Sequence, residues 1–340
     1  MNDSINRRQF FVGATTLTAG AALGGCAEPG SDAFVNPPGV PLGPFGPKST
    51  AEEVTEGVDL SGKTALITGA NSGLGYETMR VLAMRGAHVI GTGRTPEKAE
   101  TACASIGGGR ATPAVLELSD LGSVASCASE VQAMDTPIDM LILNAGIMAL
   151  PELEQVNGIE RQFFVNHLGH FAFTLELLDR VKAAPAGRIV VLSSSGHAWA
   201  PDGGIQFDNL SGERDYEPMK AYGQSKLANG LFAFELARRL EGTTATANAV
   251  HPGIINTNLG RHFPKWQLAF AKLFGWTFMK NVPEGAATSC YVAANPLVKD
   301  MSGFYFADCN PVGPDPRMED AALAAQLWEV SEEITGVRAA

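Results

Sequence analysis

From residue 62 onward the chain alternates short apolar runs with longer stretches of helical period. The runs at 63–68, 87–92, 113–118, 138–143, 187–193, 244–250 and 303–306 read as strands. Between them, apolar positions recur at helical spacing near 73–85, 96–105, 120–133, 155–183, 218–241 and 283–294. Strand–helix units repeated in this way predict a parallel sheet covered on both faces. The expectation is α/β: one doubly wound parallel sheet of about seven strands flanked by helices. Two stretches break the rhythm. Residues 196–217 are rich in Gly, Asp, Asn and Pro and predict a loop. Residues 258–280 carry Phe263, Trp266, Phe270, Phe274, Trp276 and Phe278, and read either as a helix packed on the core or as a cover over a substrate. Beyond Pro316, residues 319–333 form an amphipathic terminal helix.

Composition narrows the function classes. The 340 residues are 45 % hydrophobic and 18 % charged, ample for one large core. A net charge of −11 argues against a nucleic-acid partner, which wants a basic face. No window reaches the roughly 20 apolar residues of a membrane-spanning helix. The front end differs from the body. Arg7-Arg8 precedes a bland apolar run over 10–25 that ends in Leu23-Gly-Gly-Cys26. This is the layout of a twin-arginine signal with a lipobox-like end. It predicts export, Cys26 as a lipid anchor, and a periplasmic or envelope-anchored protein. Six prolines in 28–48 make residues 27–56 an extended tether ahead of a domain spanning 57–337. Thr50-Ala-Glu-Glu53 has capping-box spacing. Cys103, Cys127, Cys290 and Cys309 form no CxxC pair, so no disulfide is required and no metal site is expected. His167 and His170 read as hydrogen-bonded or solvated helix histidines.

Two motifs carry chemistry. Thr68-Gly-Ala-Asn-Ser-Gly-Leu-Gly75 lies between a strand and a helix, the context of a Rossmann-like nucleotide turn. Its glycines admit a pyrophosphate to the backbone, and the helix start offers free N–H groups. Downstream, Tyr222-Gly-Gln-Ser-Lys226 sets a phenol four residues before an ammonium, on one helix face. A neighbouring positive charge favours phenolate, so the pair is expected to exchange a proton near neutral pH. About 20 residues past the turn, where a carboxylate would grip the ribose of NAD, the chain reads Gly91-Thr-Gly-Arg94. Arg94 suits a 2′-phosphate, favouring NADP(H) over NAD(H).

These motifs, together with Asn144-Ala-Gly146, Asn166-His-Leu-Gly-His-Phe171, Ser193-Ser-Ser195 and His251-Pro-Gly253, resemble the short-chain dehydrogenase/reductase family. The nearest branch is the one containing retinol dehydrogenases and WW-domain oxidoreductases. Leu143 and Glu117 depart from the usual Asn and Asp of that family. The resemblance implies an oxidoreductase interconverting an alcohol and a carbonyl by hydride transfer. Tyr222 would be its general acid/base, Lys226 would lower the phenol pKa, Ser194 (or Ser193 or Ser195) would orient the carbonyl, and Asn166 would hold a water. The cofactor would meet Gly69, Asn71, Ser72, Gly73, Leu74, Gly75, Arg94, Asn144, Ala145, Gly146, Tyr222, Lys226, Pro252, Gly253 and Thr257. A homo-oligomer paired through the fourth and fifth helices is implied as well. The same residues would also serve a C=C reductase, and a non-catalytic NADP(H) sensor or scaffold is the reading from another class.

Overall fold

The computed structural model describes residues 35–255 and 279–338. The expected signal, Cys26, Thr257 and nearly all of the aromatic stretch after it lie outside the described residues. Eight strands form one sheet: β1 (Thr64–Ile67), β2 (His88–Gly93), β3 (Ala111–Val115), β4 (Met140–Leu143), β7 (Arg188–Leu192), β8 (Thr246–His251), β9 (Tyr305–Ala307) and β10 (Asn310–Val312). The order across the sheet is β10-β9-β8-β7-β4-β1-β2-β3, and every neighbouring pair is parallel except β9 with β10. Every residue of β1 and β4 is buried, which is why these strands read as unbroken apolar runs.

Helices α1 (Gly73–Met84), α2 (Pro96–Ala104) and α7 (Val282–Ala294) cover one face. The other carries α3 (Leu121–Ala133), α5 (Gly169–Lys182), α6 (Pro218–Arg239) and α8 (Ala321–Thr335). The chain leaves β1 toward β2 and β3, then crosses back to β4 on the other side of β1. This reversal opens a crevice at the carboxyl ends of β1 and β4, where ligands of open α/β sheets bind.

Three departures from the sequence reading have local causes. The helix expected over 155–183 begins only at α4 (Arg161–Phe163). Before it lies a hairpin, β5 (Gln155–Val156) with β6 (Ile159–Glu160), turned by Asn157 and Gly158, both at positive φ. The third strand sits two residues earlier than expected, because Pro113 is tolerated inside an edge strand that pairs only with β2. The eighth strand, β10, is a three-residue antiparallel edge that no sequence period announces.

Residues 35–56, placed in the tether by composition, run along the domain. The Val35 carbonyl accepts from Gly313 N–H, Asn310 Oδ1 accepts from Gly43 N–H, and the Phe45 ring packs edge-on against Tyr291. The Thr50–Glu53 capping box forms, with reciprocal backbone bonds of 2.8 and 3.3 Å. Helix α8 covers α6 and touches α5, the two helices expected to pair between subunits. The four cysteines of the body are free and buried. No group of three or more His, Cys, Asp or Glu residues could hold a metal among the described residues.

Candidate active site

The nucleotide turn begins where β1 ends. Gly69 and Gly73 take positive φ, bending the chain back to start α1. Gly75 is required for space: a Cβ there would lie 2.3 Å from the Gly69 carbonyl oxygen and 2.5 Å from Asn144 Nδ2. Ser72, the N-cap of α1, makes no side-chain bond to the helix start. The first N–H groups of α1 are left for an anion, and this cradle fits a pyrophosphate. Asn71 and Leu74 are part-exposed along the same turn.

Thr68, one residue ahead of the glycines, ties the turn to β4. Its hydroxyl oxygen accepts from the N–H groups of Asn144 and Ala145, each at 2.9 Å. With the oxygen so occupied, its hydrogen is donated to His170 Nε2 at 2.8 Å. His170 Nδ1–H then donates to the Asn166 carbonyl at 3.0 Å. Burial holds His170 at about 4, so the ring is neutral. Asn166 lies in a π turn (Phe164–Leu168) between α4 and α5. Its amide accepts from Ile147 N–H at 2.8 Å and donates to Ile147 O and Ser225 Oγ, both at 2.9 Å. This clamps the loop after β4, where Gly146 sits, onto α6. A Cβ on Gly146 would stand 3.2 Å from Asn166 Oδ1 and 3.6 Å from Lys226 Nζ, so all three share one spot.

Tyr222 and Lys226 are buried on one face of α6, with the ammonium 5.8 Å from the phenol ring centroid. Among the three serines, Ser194 is the one whose side chain favours the ionised Tyr222 phenol, and its hydroxyl oxygen accepts from Gly196 N–H at 3.1 Å. Ser193 is turned into the core, donating to Lys226 O at 2.7 Å, and the backbone N–H of Ser195 donates to His251 Nδ1 at 3.0 Å.

The electrostatics differ from the expectation. Burial pushes the Tyr222 phenol up to about 12, opposed only by the Ser194 side chain. Burial also brings Lys226 down to about 8. Lys226 Nζ donates to the carbonyl of Leu192, the last residue of β7, at 3.0 Å, which fixes where the ammonium stands beside the phenol.

On the far side of the crevice, Pro252 and Gly253 follow β8. Gly253 has φ +96 and lies under the Lys280 stem, whose ammonium pairs with Asp308 at 2.5 Å. Arg94 is exposed just past β2, apart from the Ser194–Tyr222–Lys226 group. Glu117 accepts from the N–H and hydroxyl of Ser119. Sequence reasoning missed Thr68, His170 and Ser225 as members of the site, although all three stand inside the quoted motifs.

A doubly wound sheet with a glycine cradle at its switch point and a Ser–Tyr–Lys group beside it defines a nicotinamide-dependent oxidoreductase. The chain belongs to the short chain dehydrogenase family, whose pattern it matches over residues 63–268. It is therefore an oxidoreductase acting on CH–OH or C=O groups with NAD(P)(H).

The chain is 44 % identical over 298 residues to Short-chain dehydrogenase TIC 32 A, chloroplastic, of Brassica napus, covering 84 % of this chain and 93 % of that protein. It is 39 % identical over 346 residues to human Retinol dehydrogenase 14, covering 95 % and 98 %. Among solved structures, an uncharacterized protein from Mycobacterium Paratuberculosis aligns with a TM-score of 0.69 at 36 % identity, covering 84 % of this chain and 98 % of that one. These relatives overturn the expected twin-arginine export to a periplasmic or envelope-anchored location. One is named as chloroplastic and another is human, and neither name carries a bacterial export route.

Proposed function

We propose that this chain interconverts an apolar alcohol and its carbonyl with NADP(H), using Tyr222 as the proton donor and acceptor. The observation that carries the reading is the buried Tyr222 phenol with Lys226 one helical turn away and the Ser194 side chain acting on it. The bound nicotinamide supplies or takes up the hydride. The cradle from Gly69 to Gly75 holds the pyrophosphate, and the Asn144–Gly146 loop borders the space beside Lys226.

Ser194 and Tyr222 together hold the substrate oxygen. In reduction the neutral phenol donates its proton to that oxygen, and in oxidation the phenolate takes it back. The Ser194 side chain favours the phenolate, while burial keeps the phenol neutral at pH 7. Lys226, as an ammonium, balances the phenolate when it forms. Asn166 keeps this space in register by tying Ile147 to Ser225, one residue before Lys226.

An apolar substrate is supported by Trp199, 48 % exposed, and Ile254, 50 % exposed, on the two loops that flank Ser194 and Gly253. It is also supported by the retinol dehydrogenase name of a relative that spans 95 % of the chain. NADP(H) is supported by Arg94 at the strand end and the absence of a carboxylate in 91–94.

The test is NADPH oxidation with all-trans-retinal and decanal, compared with Tyr222→Phe. A loss of about 100- to 10,000-fold in kcat is expected for the variant. Undiminished turnover would remove Tyr222 from the reaction. Tight NADPH binding without turnover of either aldehyde would favour a cofactor sensor.

A further inference from the structure

The turn that follows Ser194 has no slack against the catalytic helix. It is a 3-10 helix, Ser195–Trp199, laid directly on the start of α6. A Cβ on Gly196 would fall 2.8 Å from Tyr222 Cε1, and one on Gly223 would fall 2.5 Å from Ala200 N. A shift of this turn therefore moves Ser194 and the Tyr222 ring against each other. The carbonyls at the end of such a short helix need partners from elsewhere.

Arg317 supplies them, from a point 120 residues further along the chain. Its Nη1 donates to Ala200 O at 3.3 Å and Pro201 O at 2.9 Å, and its Nη2 donates to His197 O at 3.2 Å. Asp315 holds the fork in place, accepting from Arg317 Nε at 2.9 Å and Nη2 at 2.6 Å. The Asp315 carboxylate also stands 3.8 Å from His197 Nε2. The other nitrogen of that ring, Nδ1, donates to the Ser194 carbonyl at 2.6 Å. Asp202 is a further charge acting on Arg317. The contacts thus run from the carboxy-terminal segment to the backbone of Ser194.

We propose that Arg317 is a positioning residue for the reaction: its guanidinium caps the turn after Ser194 and fixes the Ser194 hydroxyl against the Tyr222 phenol. The planar fork is what the task requires, since one group must reach three carbonyls and a carboxylate at once. This rests on the reading of Tyr222 as the proton donor and acceptor.

The experiment compares full-length Arg317→Met, Arg317→Lys and Asp315→Asn with the unaltered chain, using whichever of retinal and decanal turns over. It reads kcat, NADPH affinity by fluorescence, Tm, and the alkaline limb of alcohol oxidation. Arg317→Met is expected to lower kcat about 10- to 100-fold with NADPH affinity unchanged. The alkaline limb should move to higher pH as Ser194 moves away from the phenol, and added guanidinium ion should restore part of the rate. Arg317→Lys should fall between the two.

An unchanged kcat overturns the proposal. So does an equal loss of kcat and NADPH affinity with an unmoved limb, which describes a general structural staple. If Arg317→Met does not fold, Arg317→Lys and Asp315→Asn decide on the same readouts. Turnover surviving Tyr222→Phe would sink the proposed function, whereas Arg317→Met matching the parent while Tyr222→Phe is inactive would sink the capping alone.

Discussion

At the residue scale, burial sets the protonation states and gives them measurable consequences. The Tyr222 phenol, pushed up to about 12 by burial, keeps its proton throughout the neutral range. Carbonyl reduction should be flat across that range, while alcohol oxidation, which needs the phenolate, should rise steadily toward alkaline pH. Steady-state rates in both directions between about pH 6 and 10 check this.

The helix histidines act on stability instead. Burial holds His167 at about 3 and His170 at about 4, both below the ordinary 6.5. The unfolded chain therefore binds protons that the native state refuses, and stability falls as pH drops from about 6.5 toward 4. His170 alone accounts for roughly 3 kcal/mol at the acid end of that window. A lower urea midpoint at about pH 4.5 than at pH 7, with a shallower fall in His170→Asn, is the expected result.

Tyr222, Lys226, Ser194 and Asn166 were legible because each stands in a short motif whose order can be read. Thr68 with His170, 102 residues apart, and Arg317 with His197 were not, because only the tertiary fold brings such partners together. The Tyr–Lys spacing was legible too, but the aim of the ammonium was not. It is set by Leu192, at the end of β7 and 34 residues away.

At the element scale, the site is a set of strand ends and helix starts held at fixed separation. Gly75→Ala should abolish NADPH binding while leaving the far-UV spectrum intact, since the added methyl collides with the Gly69 carbonyl at 2.3 Å. Fluorescence titration with NADPH measures it. The strands of the sheet centre were readable because residues buried on both faces leave continuous apolar runs. The 155–160 hairpin was not, because its two strands have two residues each, too few to show a period. Its Asn157-Gly158 turn was the one available sign. The three-residue β10 leaves as little trace.

At the scale of the whole molecule, the chain covers the helix that carries Tyr222 and Lys226. Trp328 of α8 packs edge-on against Phe171 and tilted against Phe232, with the Arg239 guanidinium 4.0 Å from its ring centroid. Trp328→Ala should destabilise the fold by about 3–5 kcal/mol. Urea denaturation gives that figure directly.

Every residue from Tyr222 to Ala237 is shut away from solvent, between the sheet on one side and α8 on the other. The amide protons of this stretch can then meet deuterium only when the entire domain opens. Their exchange should be the slowest in the protein, and on heating Tyr222 and Lys226 should keep their mutual geometry until the fold itself gives way.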